Sequence, residues 1–346
     1  MRLYDFFKQR AELSQPLVLV TVFETAGSTY SKAGGQMIID DDGNFCGMLS
    51  GGCLEGDLVE RARSVIRSGD AATASYDLGA DDELWGLGVG CDGTMRVLLQ
   101  PLMPESDYQP FAAIAEVLNG GTPSVIAIVI ASESAAIKPG ASLVLQNDTT
   151  NSFGMHEADA RLIASDVDET LPASMRQVPT SDGTCTVLYT EILPSPSLLI
   201  LGAGLDSEPI ARFASELGWR CTVHDHRPAY IENRCYPDAT ITLSSSVNEL
   251  SDCVDTGAFD LAIVMSHHLA SDREYLRQLA ASNIGYIGLL GPANRHDRLI
   301  DELDDVADAL RGRLHGPAGI RLGGRGPGPI ALEIVAEMQQ YLSQRG

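Results

Sequence analysis

The stretch LLILGAG at 198–204 constrains the fold more than any other. Four consecutive apolar residues run into a Gly-Ala-Gly turn. The helical pattern PIARFASELG (209–218) follows, and a second strand, WRCTVHD (219–225), ends in an acid. Beyond it lie short apolar runs at 239–243, 259–266 and 283–290, with a helical pattern at 271–282 between the last two. Apolar runs without polar alternation are strands buried on both faces, and strands alternating with helices build a mostly parallel, doubly wound sheet.

That context gives the glycines a job. Gly202 permits a tight turn, Gly204 lets a ligand approach the backbone, and the following helix start offers free N–H donors. Asp225, 23 positions after Gly202, is placed to accept hydrogen bonds from ribose hydroxyls. This is the pattern of a Rossmann-type domain. Two residues depart from it: Ser207 stands at the third glycine position, and Asp206 puts negative charge where a pyrophosphate would lie. A dinucleotide site, a glycine loop of the kind that binds S-adenosylmethionine, and a scaffold without a tightly held nucleotide all remain open. Ser266-His267-His268 and Gly291-Pro292 follow strands, where open α/β sheets carry ligands.

The first half is less regular. A helix opens it, followed by the strand LVLVTVF (17–23), a hairpin of 35–40 with 44–49 around Asp-Asp-Gly, and a helix over 54–68 stopped by Gly69-Asp70. Strands are expected at 94–102, 124–131, 141–146 and 184–192, and helices at 108–119 and near 157–167. The order predicts an α/β or α+β domain with a mixed sheet over 1–193, then the linker PSPS at 194–197, then the Rossmann-like domain at 198–346.

Within that first domain, FCGMLSGGCLEGD (45–57) places Ser50-Gly51-Gly52 between strand and helix, with Cys53 at the expected helix start. Glycines there expose consecutive N–H groups, which form anion nests. A thiol at such a position gains thiolate character and can ligate a soft metal or carry sulfur as a persulfide. Glu55 and Asp57 share the first turn, suiting the helix dipole while opposing a thiolate. WGLGVGCDG (85–93) is a second glycine-rich segment ending in a thiol, Cys91, with Gly93 beyond it, and Ala26-Gly27-Ser28-Thr29 is a third polar loop. Three such loops in one domain predict a shared pocket; the alternative is turn-making glycines and buried thiols.

Charge removes some partners. The formal net charge is −23 and the lysines are Lys8, Lys32 and Lys138 alone, which argues against nucleic acid or anionic membrane as a partner. The longest apolar run, 125–131, is too short to cross a bilayer, and the N-terminus lacks the apolar block of a signal peptide, so a cytoplasmic location is expected. The 7 cysteines show no CxxC or zinc spacing and are expected to be reduced.

Taken together, GSTYSKAGGQMII (27–39), SGGCLEGDL (50–58), WGLGVGCDG (85–93), LLILGAGLDSEPIARFASELGW (198–219), VHDHRPAY (223–230), VMSHHLASDREYL (264–276), YIGLLGP (286–292) and LHGPAGI (314–320) resemble, in this order, the xanthine dehydrogenase accessory protein family, XdhC/CoxI. The resemblance implies a chaperone that binds molybdenum cofactor in its molybdopterin form, keeps it while a cysteine desulfurase installs the terminal sulfur, and delivers it to a molybdenum hydroxylase apoenzyme. It also implies a homodimer. Carried over by position, Ser50, Gly51, Gly52, Cys53 and Glu55 match one family segment, and Cys91 and Gly93 a second. Gly202, Gly204, Asp206, Asp225 and Arg227 match the Rossmann loop and next strand, and His267 matches a Thr-His pair. Cys53 and Cys91 are the implied metal or sulfur carriers. An NAD(P)-dependent oxidoreductase and a Rossmann adaptor are the alternatives.

The chain departs from the family at three places. Tyr30-Ser31 stands where Pro-Arg is frequent, and Asp92 replaces a glycine. The C-terminal stretch, roughly GLDIGAxTPxEIA in the family, here runs from Gly319 to Ala331 with Arg321 in place of the acid. Arg321 and Arg325 are therefore candidate phosphate contacts.

Overall fold

The computed structural model describes all residues except 79–92, 147–148, 168–172, 233, 237, 304–305 and 345–346. The chain divides into two units, Met1–Pro194 and Ser195–Gly346.

The first unit contains two five-stranded sheets. One is built from β1 (Leu17–Ala26), β2 (Gln36–Asp40), β3 (Phe45–Cys46), β4 (Ala72–Asp77) and β5 (Thr94–Leu102), in the order β3-β2-β1-β5-β4. The other is built from β6 (Ser124–Ser132), β7 (Ser142–Gln146), β8 (Thr149–Phe153), β9 (Ala173–Thr180) and β10 (Gly183–Ile192), in the order β8-β7-β6-β10-β9. Every described pairing in this unit is antiparallel. The α/β class therefore holds, but the expected mixed sheet is a pair of antiparallel ones.

Side-chain alternation along β1 explains the layering. Leu17, Leu19 and Phe23 enter one core with Ile126, Ile128 and Leu188 of the second sheet, and Phe6 and Phe111 join them there. These two rings come from helices α1 (Leu3–Glu12) and α3 (Phe111–Leu118). Val18, Val20 and Val22 point the other way, onto Leu58, Ala62 and Val65 of helix α2 (Glu55–Ser68). Burial on both faces is why β1 reads as a nearly continuous apolar run over 17–23, broken only by the buried Thr21. Helix α4 (Glu157–Ser165) covers the far face of the second sheet through Ala160 and Ile163.

The second unit has β11 (Ser197–Leu201), helix α5 (Ser207–Glu216), β12 (Arg220–Asp225), β13 (Ala239–Leu243), β14 (Leu261–Val264), helix α6 (Leu269–Ala280), β15 (Tyr286–Leu289), helix α7 (Ala293–Glu302), β16 (Leu314–His315) and helix α8 (Pro327–Ser343). All its described strand pairs are parallel, in the order β13-β12-β11-β14-β15-β16. That is the Rossmann order, which reverses between β11 and β14 and opens a crevice at their carboxyl ends. Helices α5 and α8 pack on one face through Ile210, Ala214, Ile334 and Met338, and α6 and α7 on the other through Tyr275, Leu279 and Leu299.

Among the described residues, no helix is long and apolar enough to cross a membrane.

Candidate functional site

In the first unit, the turn carrying Cys53 stands between β3 and α2. Gly51 and Gly52 adopt φ of 77° and 114°, the left-handed region that glycine alone enters freely. The helix begins at Glu55, not at Cys53. The nest anticipated from the glycines exists, and its anion is the chain's own. Glu55, 4% exposed, accepts from Leu49 N–H at 3.1 Å, from Ser50 N–H at 3.0 Å and Oγ at 2.6 Å, and from the amides of Gly52 (3.0 Å) and Leu54 (3.2 Å). Burial alone would raise this carboxyl's pKa; the bonds from Ser50 and the turn amides outweigh that and hold it below its ordinary value.

The outer side of the turn is open. A Cβ on Gly52 would meet nothing within 4 Å, and one on Gly51 only the Tyr30 ring at 3.8 Å. Cys53 is half-buried there as a free thiol. The 26–31 loop reaches the same place: Ser31 N–H donates to Leu49 O at 3.3 Å and Ser31 Oγ to Met48 O at 3.0 Å. A Cβ on Gly93 would sit 2.4 Å from Ser28 O, so glycine is required where these strands converge. Leu78 N–H donates to Gly93 O at 2.8 Å. The described parts of the three glycine-bearing loops are thus gathered at one end of the first sheet. Cys91 lies outside the described residues. Among the described ones, the only grouping of three or more potential metal-ligating acids, cysteines or histidines is Asp40, Asp41 and Asp42. There Asp40 is buried and bound by Arg10 and Asn44.

In the second unit, Gly202 has φ 119°, and a Cβ on it would lie 2.6 Å from Met265 C and O. The turn is pressed against the end of β14, as the strand order requires. Asp225 is fully buried and faces inward. It accepts from Ala203 N–H at 2.8 Å and Arg227 N–H at 2.9 Å, and pairs with Arg227 Nε and Nη2 at 2.9 and 2.8 Å. Desolvation opposes its charge, but Arg227 and the two amides hold its pKa below the ordinary value. The acid expected to meet ribose is committed to closing the glycine turn. Arg227, its guanidinium 3.7 Å from the Tyr230 ring centroid, is a quarter exposed at 26%.

Asp206 turns back over the turn. Its Oδ2 lies 2.8 Å from His267 Nε2, while Oδ1 is buried without a partner and sits 2.7 Å from where a Gly204 Cβ would be. His267 holds φ 59°. Ser266 and Asp272, both buried, brace this loop: Ser266 N–H donates to Asp272 at 3.1 Å, and Arg295 pairs with the same carboxylate. Sequence reasoning misses Asp272 and Arg295 as site residues, since neither lies in a glycine motif. Arg321 and Arg325 are exposed, and the amides beside them, Leu322 and Gly323, both donate at 2.8 Å to Glu333. This third turn, too, is filled by a carboxylate of the chain.

Residues 11–77 match the family described as the XdhC and CoxI family, and residues 198–338 match the XdhC Rossmann domain. A probable xanthine dehydrogenase subunit from Bacillus subtilis (strain 168) is 31% identical over 95% of this chain and 94% of its own length. The chain belongs to the XdhC and CoxI family. A second relative, the molybdenum cofactor insertion chaperone PaoD of Escherichia coli (strain K12), is 21% identical over 93% of this chain and 82% of its own. A crystal structure of a xanthine dehydrogenase from Bacillus halodurans superposes with a TM-score of 0.78 at 28% identity, covering 100% of this chain and 97% of that one. The β11–α5 turn, with Asp206 and Asp225 folded onto it, is therefore a feature of an XdhC Rossmann domain in this chain.

Proposed function

We propose that this chain is an accessory protein that binds molybdenum cofactor, in its molybdopterin form, and passes it to a molybdenum hydroxylase of the xanthine dehydrogenase type. The observation that carries the reading is the Gly51-Gly52-Cys53 turn. It is preformed by Glu55, open at Gly52 with the Tyr30 ring beside Gly51, and furnished with a soft sulfur donor. Those residues fit a bulky soft-metal group. Family membership and the names of the Bacillus and Escherichia relatives support the same reading.

In this proposal Cys53, with Cys91 of the 85–93 segment, holds the metal end or carries the sulfur that a cysteine desulfurase supplies. Ser50 and Glu55 shape the turn, and Gly93 lets the loops meet. When bound, the cofactor supplies the molybdenum centre that the client enzyme uses for hydroxylation. Gly202, Gly204, Asp206, Arg227 and His267 line the ligand face of the Rossmann domain, and Asp225 holds the glycine turn from within. The chain is proposed to act in the cytoplasm as a homodimer.

The test is anaerobic purification of the full chain from a molybdenum-replete host, followed by pterin fluorescence after oxidation and by metal analysis. Sub-stoichiometric pterin is the expected result. Its absence, with the client hydroxylase maturing normally without this chain, would remove the reading.

A further inference from the structure

The two sides of the 49–54 turn differ chemically. On the inner side, Glu55 consumes the N–H groups of Leu49, Ser50, Gly52 and Leu54 and the hydroxyl of Ser50. Gly52 and Leu54 flank Cys53 directly. Ser50 locks the arrangement, because its Oγ also accepts from Leu54 N–H at 2.8 Å. A Cβ on Gly52 would meet nothing within 4 Å, one on Gly51 would meet the Tyr30 ring at 3.8 Å, and the adjoining Cys53 thiol is free and half-buried. An oxyanion seeking the nest must displace a carboxylate tethered to the same turn, whose effective concentration is on the order of millimolar or more. It must also leave that buried carboxylate without its donors, a heavy penalty for a charged group.

We propose that Glu55 is the positioning residue of this site: its carboxylate closes the cradle to phosphate and other oxyanions, so the turn receives a soft-metal or sulfur-bearing group through Cys53. The inference rests on the reading that this turn holds the cofactor. It assigns the turn to the metal end and sends the cofactor's phosphate elsewhere.

The test uses the full chain and its Glu55→Ala and Glu55→Gln variants. Alkylation of Cys53 by iodoacetamide is followed by peptide mass spectrometry at one fixed pH, with and without inorganic phosphate or formate, alongside thermal melting. In the wild type, neither anion is expected to change the Cys53 rate or the melting temperature. In Glu55→Ala the negative charge two residues from Cys53 is gone, and the thiol's rate rises by about fivefold or more. Formate then refills the cradle, restoring the wild-type rate and raising the melting temperature, and phosphate does the same. Glu55→Gln, which still fills the space, stays insensitive to both.

Phosphate protection of Cys53 in the wild type would overturn the proposal, as would an unchanged rate in Glu55→Ala or a changed rate that formate fails to restore. If Glu55→Ala does not fold, Glu55→Ser, which also removes the carboxylate from the amides of Leu49, Ser50, Gly52 and Leu54, takes its place. A formate and phosphate response there supports the proposal and its absence sinks it. None of these readouts involves a pterin, so a wild type that carries no cofactor removes the functional reading while leaving the role of Glu55 to be decided by the anions.

Discussion

His267 Nε2 lies 2.8 Å from Asp206 Oδ2, and the two side chains together cover Gly204. This is where a dinucleotide's pyrophosphate would rest in the Rossmann domain. A carboxylate there repels phosphate and occupies its space. The wild type is therefore expected to show no saturable NAD⁺ binding by calorimetry up to millimolar concentration. Asp206→Ala is expected to gain affinity by about tenfold or more, since it removes a charge at close range. Micromolar binding by the wild type would contradict this account of the loop.

Asp225 and Arg227 make a second prediction. Asp225→Asn leaves a guanidinium facing a neutral amide and weakens the bond to Ala203 N–H. Breaking a buried pair of this kind costs about 3 kcal/mol. Urea denaturation of the full chain is expected to show a loss of that order; a loss below about 1 kcal/mol would mean that solvent replaces the pair without difficulty.

His224 sets a pH dependence. It is fully buried, bonded to Thr242 Oγ1 at 3.0 Å and Ser244 Oγ at 3.3 Å. Burial lowers its pKa from 6.5 to about 4, against the pull of Asp225 and with help from His226. Between those values the unfolded chain binds more protons than the folded one, so stability is full above pH 6.5 and falls as pH drops towards 4. This one group accounts for about 3 kcal/mol across the window. His224→Gln is expected to flatten the slope of unfolding free energy against pH in that range; an unchanged slope would refute the assignment.

How much of this is legible in the sequence follows from burial. The strands β1, β6 and β11 are readable because both of their faces are covered, leaving nearly continuous apolar runs. The strands β4 (ATASYD), β8 (TTNSF) and β9 (ASMRQVPT) are not. Each lies at a sheet edge with few buried residues, so its sequence carries little apolar signal. The glycine turns are visible for a different reason: only glycine satisfies their positive φ freely. What fills them is not visible. Glu55 and Asp225 read as helix-dipole and ribose acids, and Glu333 lies in no motif, because side-chain direction within a turn is decided by packing that no spacing rule records. Cys53 likewise reads as a helix-start thiol, whereas α2 begins two residues later.

Ser50 offers a direct measure of how the turn is held. Its hydroxyl donates to Glu55 at 2.6 Å and accepts from Leu54 N–H at 2.8 Å, with the residue 8% exposed. Ser50→Ala loses both bonds and leaves a buried acceptor short of a donor, at a cost of about 2 kcal/mol. Ser50→Thr, which retains a hydroxyl, is expected to recover part of that. Equal stability of Ser50→Ala and the wild type in urea would show that the turn does not depend on it.

The central claim is that the Gly51-Gly52-Cys53 turn binds molybdenum cofactor through the thiol. The most direct measurement compares molybdopterin and molybdenum in wild type and Cys53→Ala, both purified anaerobically from a molybdenum-replete host and matched for folding by thermal melting. The account predicts cofactor with the wild type and a loss of about tenfold or more with Cys53→Ala, as expected when a metal–thiolate contact is removed. Equal cofactor content in the two proteins would contradict it.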